Sequence, residues 1–337
     1  MTNESVRFSV IIPVYNASKL LSKCLDSLVT QTFKNFEVIA LDDESKDNSF
    51  EILKRFKADN QQMKINISTH KNCGAGKTRN IGLSLAKGEY IVFLDSDDYL
   101  DTDYLERINN IIESKQSDVV FIDIIREDEN GHLIRYERMS DFKDLSKDRM
   151  IKWQLTGKMP WGGVRKVIKT DIIRNNKLEY APIKVGEESI FSFLTLLNAK
   201  EISFQQDSFY HYVDAANSLT SRDNVSNPQS VFDFISGYIK NSSYYEEYNT
   251  TVNALGVTTV AILVNILANE NSFFNAIKES RSYINKYKPY ITGEINYDAL
   301  EKRIKYCYPF MRIGMATPII FGSYIQKLSK KIKHLLK

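Results

Sequence analysis

Carboxylates are the residues best placed to do chemistry in this chain, and they come in three groups. Asp95-Ser96-Asp97-Asp98 and Asp42-Asp43 each follow an apolar run directly, and Glu187-Glu188 stands further on. Three carboxylates within four residues repel one another unless positive charge lies among them. A hard divalent cation suits them, because Mg²⁺ or Mn²⁺ takes oxygen ligands and is often shared with a substrate diphosphate. In an extended Asp-x-Asp both side chains lie on one side of the backbone. One of them can then hold the metal while the other reaches a sugar hydroxyl. The competing reading is a solvated turn with Asp98 or Asp101 capping the next helix. For the second group it is Asp43 or Ser45 capping a helix that begins near Lys46.

The elements between these groups must bring them together. Apolar runs predict strands over residues 8–14, 36–41, 64–68, 90–94 and 118–122. Helical spacing predicts helices over 18–28, with Ser18 as cap, and over 45–56, 75–86 and 103–112. Alternating strands and helices give an α/β fold, a mostly parallel Rossmann-like sheet with helices on both faces. Such sheets bind ligands beyond the C-terminal ends of their strands. Pro13-Val14-Tyr15-Asn16, Asp42-Asp43 and Asp95-Ser96-Asp97-Asp98 all fall there. The pattern is mixed from about 128 to 216 and mainly helical after Asn227-Pro228, a boundary signal. The expected organisation is a first domain over 1–226, with a ligand-binding sheet part (1–125) and a mixed part (126–226). A helical C-terminal region with a basic amphipathic end follows over 227–337.

Composition sets the outer limits. Of 337 residues, 43% are apolar and 26% charged, enough for a sizeable core. A net charge of +3 gives no reason to expect a nucleic-acid partner. Three scattered cysteines fit a reducing compartment, and without CxxC a structural zinc site is not expected. An acid near the N-terminus, then a short apolar run ending at Pro13, reads as a strand and not an export signal. The apolar stretch 255–268 is shorter than the ~20 residues that span a bilayer. A cytoplasmic location is therefore expected. Ile325–Lys337, with Leu328, Ile332, Leu335 and Leu336 on one face and five lysines, reads either as a helix on the inner membrane surface or as a terminal helix packed on the domain. Aromatic residues in 283–290 and 306–310 suit packing or a homo-oligomer interface.

Gly74-Ala75-Gly76-Lys77-Thr78 imitates the end of a P-loop, but Lys71 stands where that motif needs glycine. Helix entry near Ala75 can still present N–H groups to an anion, with Lys77 as a phosphate contact.

The runs Ser9-Val10-Ile11-Ile12-Pro13-Val14-Tyr15-Asn16, Gln31-Thr32 and Asp42-Asp43-Glu44-Ser45-Lys46-Asp47 resemble glycosyltransferase family 2. So do Arg79-Asn80-Ile81-Gly82 and the stretch Gly88 to Asp98, in the family's order and spacing. The resemblance implies a GT-A fold, an NDP-sugar donor (usually UDP) and inversion at the anomeric carbon. It implies that Pro13, Tyr15, Asp43 and Arg79 hold the nucleoside. It also assigns Asp95 to the donor sugar or ribose, and Asp97 to the metal and diphosphate. Glu44 departs from the family's usual glycine, which predicts local crowding with the site retained.

Val185-Gly186-Glu187-Glu188-Ser189-Ile190-Phe191 resembles the family's Gly-Glu-Asp-x-x-Phe, whose aspartate is the usual base. Glu188 occupies that position and is preferred to Glu187; the alternative is two acids opening a helix, where its dipole favours them. Such a base must take the proton of an acceptor hydroxyl, while the metal meets charge growing on the leaving diphosphate. Trp161, in a segment similar to the one preceding the family's base, is an acceptor platform or a core tryptophan. His211 lies in Tyr210-His211-Tyr212, which with Ser218-Leu219-Thr220 resembles a motif near the diphosphate; it is a metal or phosphate contact, or a structural histidine. The implied partner is a glycan or lipid-linked glycan acceptor for surface polysaccharide synthesis. Two other functions compete: a donor-binding scaffold that has lost catalysis, and a sugar-nucleotide pyrophosphorylase. The latter wants a glycine-rich loop after the first strand, and Pro13-Val14-Tyr15-Asn16 has no glycine.

Overall fold

The computed structural model describes residues 5–182, 186–214 and 226–335, without the side chains of 207, 208, 226–228's first two positions, 328 and 330–335. Val185, Ser218-Leu219-Thr220 and most of the basic C-terminal side chains lie outside the described residues. The chain divides into two compact units, Met1–Leu145 with Trp161–Ser221, and Ser146–Pro160 with Arg222–Lys337.

In the first unit the runs Phe8–Val14, Phe36–Asp42 and Tyr90–Phe93 become strands buried on both sheet faces, while Lys64–Thr69 is an edge strand with alternate residues exposed. The order is β1 (Phe8–Val14), α1 (Leu21–Val29), β2 (Phe36–Asp42), α2 (Ser49–Asp59), β3 (Lys64–Thr69), α3 (Ala75–Leu85) and β4 (Tyr90–Phe93). Then come β5 (Tyr99–Leu100), α4 (Tyr104–Lys115), β6 (Val119–Asp128) and β7 (Leu133–Glu137). After α5 (Lys147–Leu155) of the second unit follow β8 (Lys166–Lys169), α6 (Thr170–Asn175), α7 (Glu187–Asn198) and β9 (Ile202–Asp214). The sheet order is β3-β2-β1-β4-β8-β6-β9-β5, with β7 on β6. The half from β3 to β4 is parallel. β8 inserts antiparallel between β4 and β6, while β6 and β9 run parallel. Four residues, Lys-Val-Ile-Lys, gave β8 too little periodicity to be read from sequence.

Local signals needed correction at the helix starts. α1 begins at Leu21 with no side-chain cap; the Ser18 N–H donates to Asp47 instead, at 3.0 Å. α2 begins at Ser49, whose N–H and hydroxyl both bond Asp47. Neither Asp43 nor Ser45 caps it. α4 is entered from Asp103, so Asp98 and Asp101 are free for other partners.

Arg79-Asn80-Ile81-Gly82 on α3 has a clear division of labour. Asn80 clasps the Tyr180 backbone in both directions, donating to its carbonyl (3.0 Å) and accepting from its N–H (2.8 Å). Gly82 lets α3 lie against β1, for a β-carbon there would stand 2.4 Å from Ile11 Cγ2. Gly82→Ala should therefore cost about 1–3 kcal/mol by overpacking, read as a lowered denaturation midpoint with an unchanged slope.

The second unit contains α5 and the helices α8 (Ser226–Lys240), α9 (Tyr245–Glu270), α10 (Phe273–Lys286), α11 (Lys288–Thr292), α12 (Lys302–Arg312) and α13 (Thr317–Leu335). α9 is apolar nearly all round, as a helix surrounded by others should be. It runs longer than the apolar stretch read in sequence, and is long and apolar enough to cross a membrane; 78% of its apolar window is buried among its neighbours. Asp298 gathers α5, accepting from Arg149 at 2.8 Å and from the Trp153 indole at 3.0 Å.

Candidate active site

The three carboxylate groups lie at the C-terminal ends of β2 and β4 and at the start of α7, all in the first unit. Arg79 joins two of them. Its side chain is buried, 2.7 Å from Asp95 and 3.4 Å from Glu188, with Glu187 at 3.9 Å. Tyr180 forms the floor beneath it, the guanidinium lying 5.4 Å from the ring centre. Tyr180 is itself stacked on Phe191 at 4.3 Å. Nothing in the spacing of the sequence marked Tyr180; the aromatic signal was one among 37 tyrosines and phenylalanines.

Asp95-Ser96-Asp97-Asp98 is a tight turn closed by the Asp98 N–H on the Asp95 carbonyl at 3.1 Å, not the extended segment expected. Nor is it a solvated turn. Asp98 is buried and accepts from the Tyr210 hydroxyl (2.5 Å) and the Val213 N–H (2.8 Å). The Tyr210 hydroxyl in turn accepts the Asp95 N–H at 3.0 Å. Burial, then Asp97 and Asp95, hold the Asp98 carboxyl well above the ordinary range. Burial and the charge of Asp95 push Asp97 up to about 6. With Asp98 held by Tyr210 and Val213, Asp95 and Asp97 are the oxygen donors that fit a hard cation, whose charge would relieve that repulsion.

The two glutamates differ. Burial, then Glu188, pushes Glu187 up to about 7. Its stem lies under α3, where a β-carbon on Gly76 would meet Glu187 Cγ at 3.1 Å. Glu188 is the more exposed, at 23% of its side chain against 14%. Beside it lies Lys166, fully buried and pushed down to about 7 by burial. Its ammonium donates to the Gly162 carbonyl and the Ser192 hydroxyl, each at 2.7 Å. This fixes the loop that starts at Trp161, a half-buried residue.

On the β2 side, the Asp43 carboxylate accepts from the N–H groups of Cys73 (2.7 Å) and Gly74 (2.9 Å). Asp42 accepts from Ser45 N–H and the Thr69 hydroxyl. Asn16 bonds across to Ser45 and Lys46, so the loops after β1 and β2 hold each other. Pro13 is half-buried, and Tyr15 is 52% exposed beside this wall. Glu44 sits at φ 62°, the left-handed region where glycine is the unstrained choice. That explains the family's glycine there, and the loop keeps its place despite the side chain. Lys77 is exposed in the first turn of α3.

His211 points elsewhere. Along β9 side chains alternate, so Tyr210 faces Asp98 while His211 bonds Asp101 (2.8 Å) and Glu127 (3.0 Å) and stacks on Tyr99 at 4.2 Å. Burial works to lower its pKa, but the two carboxylates raise it. Both ring nitrogens are thus already engaged by carboxylates. This gives His211 the place of a structural histidine, with neither nitrogen turned to a metal or phosphate.

The sheet, its ligand rim and the helices around it are those of the GT-A glycosyltransferases, whose solved members it matches. Residues 9–170 match the model of Glycosyl transferase family 2, and the chain carries that family's domain. Its relatives include a poly(ribitol-phosphate) beta-glucosyltransferase of Bacillus spizizenii, 34% identical over 62% of this chain and 32% of that protein. Another is the poly(ribitol-phosphate) beta-N-acetylglucosaminyltransferase TarS of Staphylococcus aureus, 30% identical over 61% of this chain and 35% of that protein. The chain spans about a third of the length of these curated relatives. The crystal structure of S. aureus TarS residues 1–349 in complex with UDP-GlcNAc superposes with a TM-score of 0.65 at 25% identity, over 95% of this chain and 92% of that one.

Proposed function

We propose that the chain is an inverting glycosyltransferase that moves a sugar from a UDP-sugar to a hydroxyl of a cell-surface glycopolymer. The first compact unit is the catalytic domain. The observation that carries this is the Arg79 junction, which draws Asp95 of the donor rim and the Glu187-Glu188 pair to within 4 Å of one guanidinium. A donor and a base are thereby held at one place, as a single displacement requires. The relatives' named substrates support a poly(ribitol phosphate) acceptor and a glucose or N-acetylglucosamine donor.

In this reading Pro13, Tyr15 and Asp43 hold the nucleoside, and Lys77 at the start of α3 faces the diphosphate. Arg79 fixes Asp95 against the donor sugar or ribose, and Trp161 supports the acceptor. Asp97 and Asp95 would hold Mn²⁺ or Mg²⁺, which neutralises charge on the departing diphosphate. Glu188 takes the proton of the acceptor hydroxyl. Incubation with UDP-glucose or UDP-GlcNAc, Mn²⁺ and poly(ribitol phosphate) should release UDP only when acceptor is present. Failure with every UDP-sugar and polyol-phosphate polymer would overturn the reading. The exposed Phe321 and Ile325 of α13 support contact with a membrane carrying such an acceptor.

Metal binding should depend on pH. Asp97 titrates near 6 in the fold against an ordinary 3.8. Between those values the folded chain keeps a proton that the unfolded chain has released, so without metal stability falls as pH rises. Metal must displace that proton, so Mn²⁺ affinity should fall about tenfold between pH 7 and pH 5 and level off above pH 7. Calorimetric titration with Mn²⁺ reads this directly.

A further inference from the structure

The register of two parallel strands creates a second cluster. Asp42 pairs with Thr69 across β2 and β3, so the next residues, Asp43 and His70, meet just beyond the strand ends. His70 Nδ1 lies 3.4 Å from Asp43 Oδ1. Cys73, three residues on, brings its sulfur to 3.7 Å from the same nitrogen. All three potential ligand atoms lie within 4.8 Å of one another.

We propose that Asp43, His70 and Cys73 form a binding site for Zn²⁺, separate in chemistry from the hard-cation rim at Asp97. A zinc ion bonds nitrogen and oxygen at about 2.0–2.2 Å and sulfur at about 2.3 Å, so a tetrahedral set has edges of about 3.4 Å (N to O) and about 3.6 Å (N to S). The observed 3.4 and 3.7 Å match those edges. The frame is already built: both Asp43 oxygens are fixed by the Cys73 and Gly74 N–H groups, and the His70 N–H is tied to the Asp42 carbonyl at 3.1 Å. Nδ1 now faces the Lys71 carbonyl at 3.1 Å. Metal there moves the ring proton to Nε2, a buried atom without a partner. A thiolate and an imidazole select zinc over Mg²⁺ or Mn²⁺, and the ion deprotonates the thiol on binding. Three protein ligands leave a fourth position for water. Sequence spacing could not reveal the site, since Asp43 joins His70 and Cys73 only through the sheet.

One consequence rests on the donor-site reading: an ion on Asp43 would occupy the nucleoside's place, so zinc and UDP would exclude each other. The test uses the purified chain freed of metal and titrated with Co²⁺ at neutral pH. A sulfur-to-cobalt charge-transfer band should rise to one equivalent and vanish when Zn²⁺ is added. Cys73→Ser should lose the band with an unchanged melting temperature, and His70→Gln should weaken Co²⁺ at least tenfold. No band, or a band that survives in Cys73→Ser, overturns the site. With zinc held at ten times its dissociation constant, UDP should bind about tenfold more weakly, by mass action. If the band is present and UDP is unaffected, the zinc site stands and the place given to Asp43 in donor binding falls.

Discussion

Glu188→Gln should lower the rate of sugar transfer by about 10²–10⁴-fold, the usual contribution of a positioned general base. Donor affinity should stay within about twofold. The substitution keeps size and leaves an amide oxygen facing Arg79, 3.4 Å away in the native arrangement. What it removes is the capacity to accept a proton. Glu187 is the less suitable base: its stem is packed under Gly76, and it is less exposed. Glu187→Gln should therefore cost much less in rate. Single-turnover transfer, measured beside calorimetric donor binding, separates the two variants. Equal, full activity in both would remove the glutamate pair from catalysis and overturn the assignment of the base.

Arg79→Met should be the most damaging single change to stability within the site. The guanidinium is buried and meets three carboxylates. Removing one partner of a buried ion pair costs about 3–5 kcal/mol. Here the carboxylates retain some solvent, with 28% of the Asp95 side chain and 23% of that of Glu188 exposed. About 2–4 kcal/mol is therefore expected at neutral pH. The loss should shrink toward pH 5, because Glu187, pushed up to about 7, is protonated there and no longer adds an unpaired charge. Urea denaturation at pH 7.5 and pH 5 reads both effects. Arg79→Lys should recover only part of the stability, since an ammonium cannot reproduce the planar guanidinium's several N–H bonds.

The parallel half of the sheet was legible because β1, β2 and β4 are buried on both faces and read as apolar runs, while the edge strand β3 shows as an alternation of polar and apolar residues. The acidic rim was legible because topology alone carries strand ends to one side. Contacts made through register were not. Tyr210 and His211 are neighbours in sequence, yet β-alternation sends one to Asp98 and the other to Asp101 and Glu127. A motif containing both could not say which faced the rim. The same limit hid Tyr180 under Arg79 and the buried ammonium of Lys166, each held by elements far apart in sequence. Helix capping failed for a related reason. Asp43, Asp98 and Asp101 have the residue type of a cap, but each finds a partner in another segment first.

The central claim is that Asp97 and a divalent cation together hold the diphosphate of a UDP-sugar. Calorimetric titration of UDP-GlcNAc into the wild-type chain and into Asp97→Asn, with Mn²⁺ and with a chelator, tests it most directly. Saturable binding to the wild type that weakens at least tenfold under chelator, and a variant whose weaker binding no longer responds to Mn²⁺, is the predicted result. Equal affinity in all four titrations would contradict it.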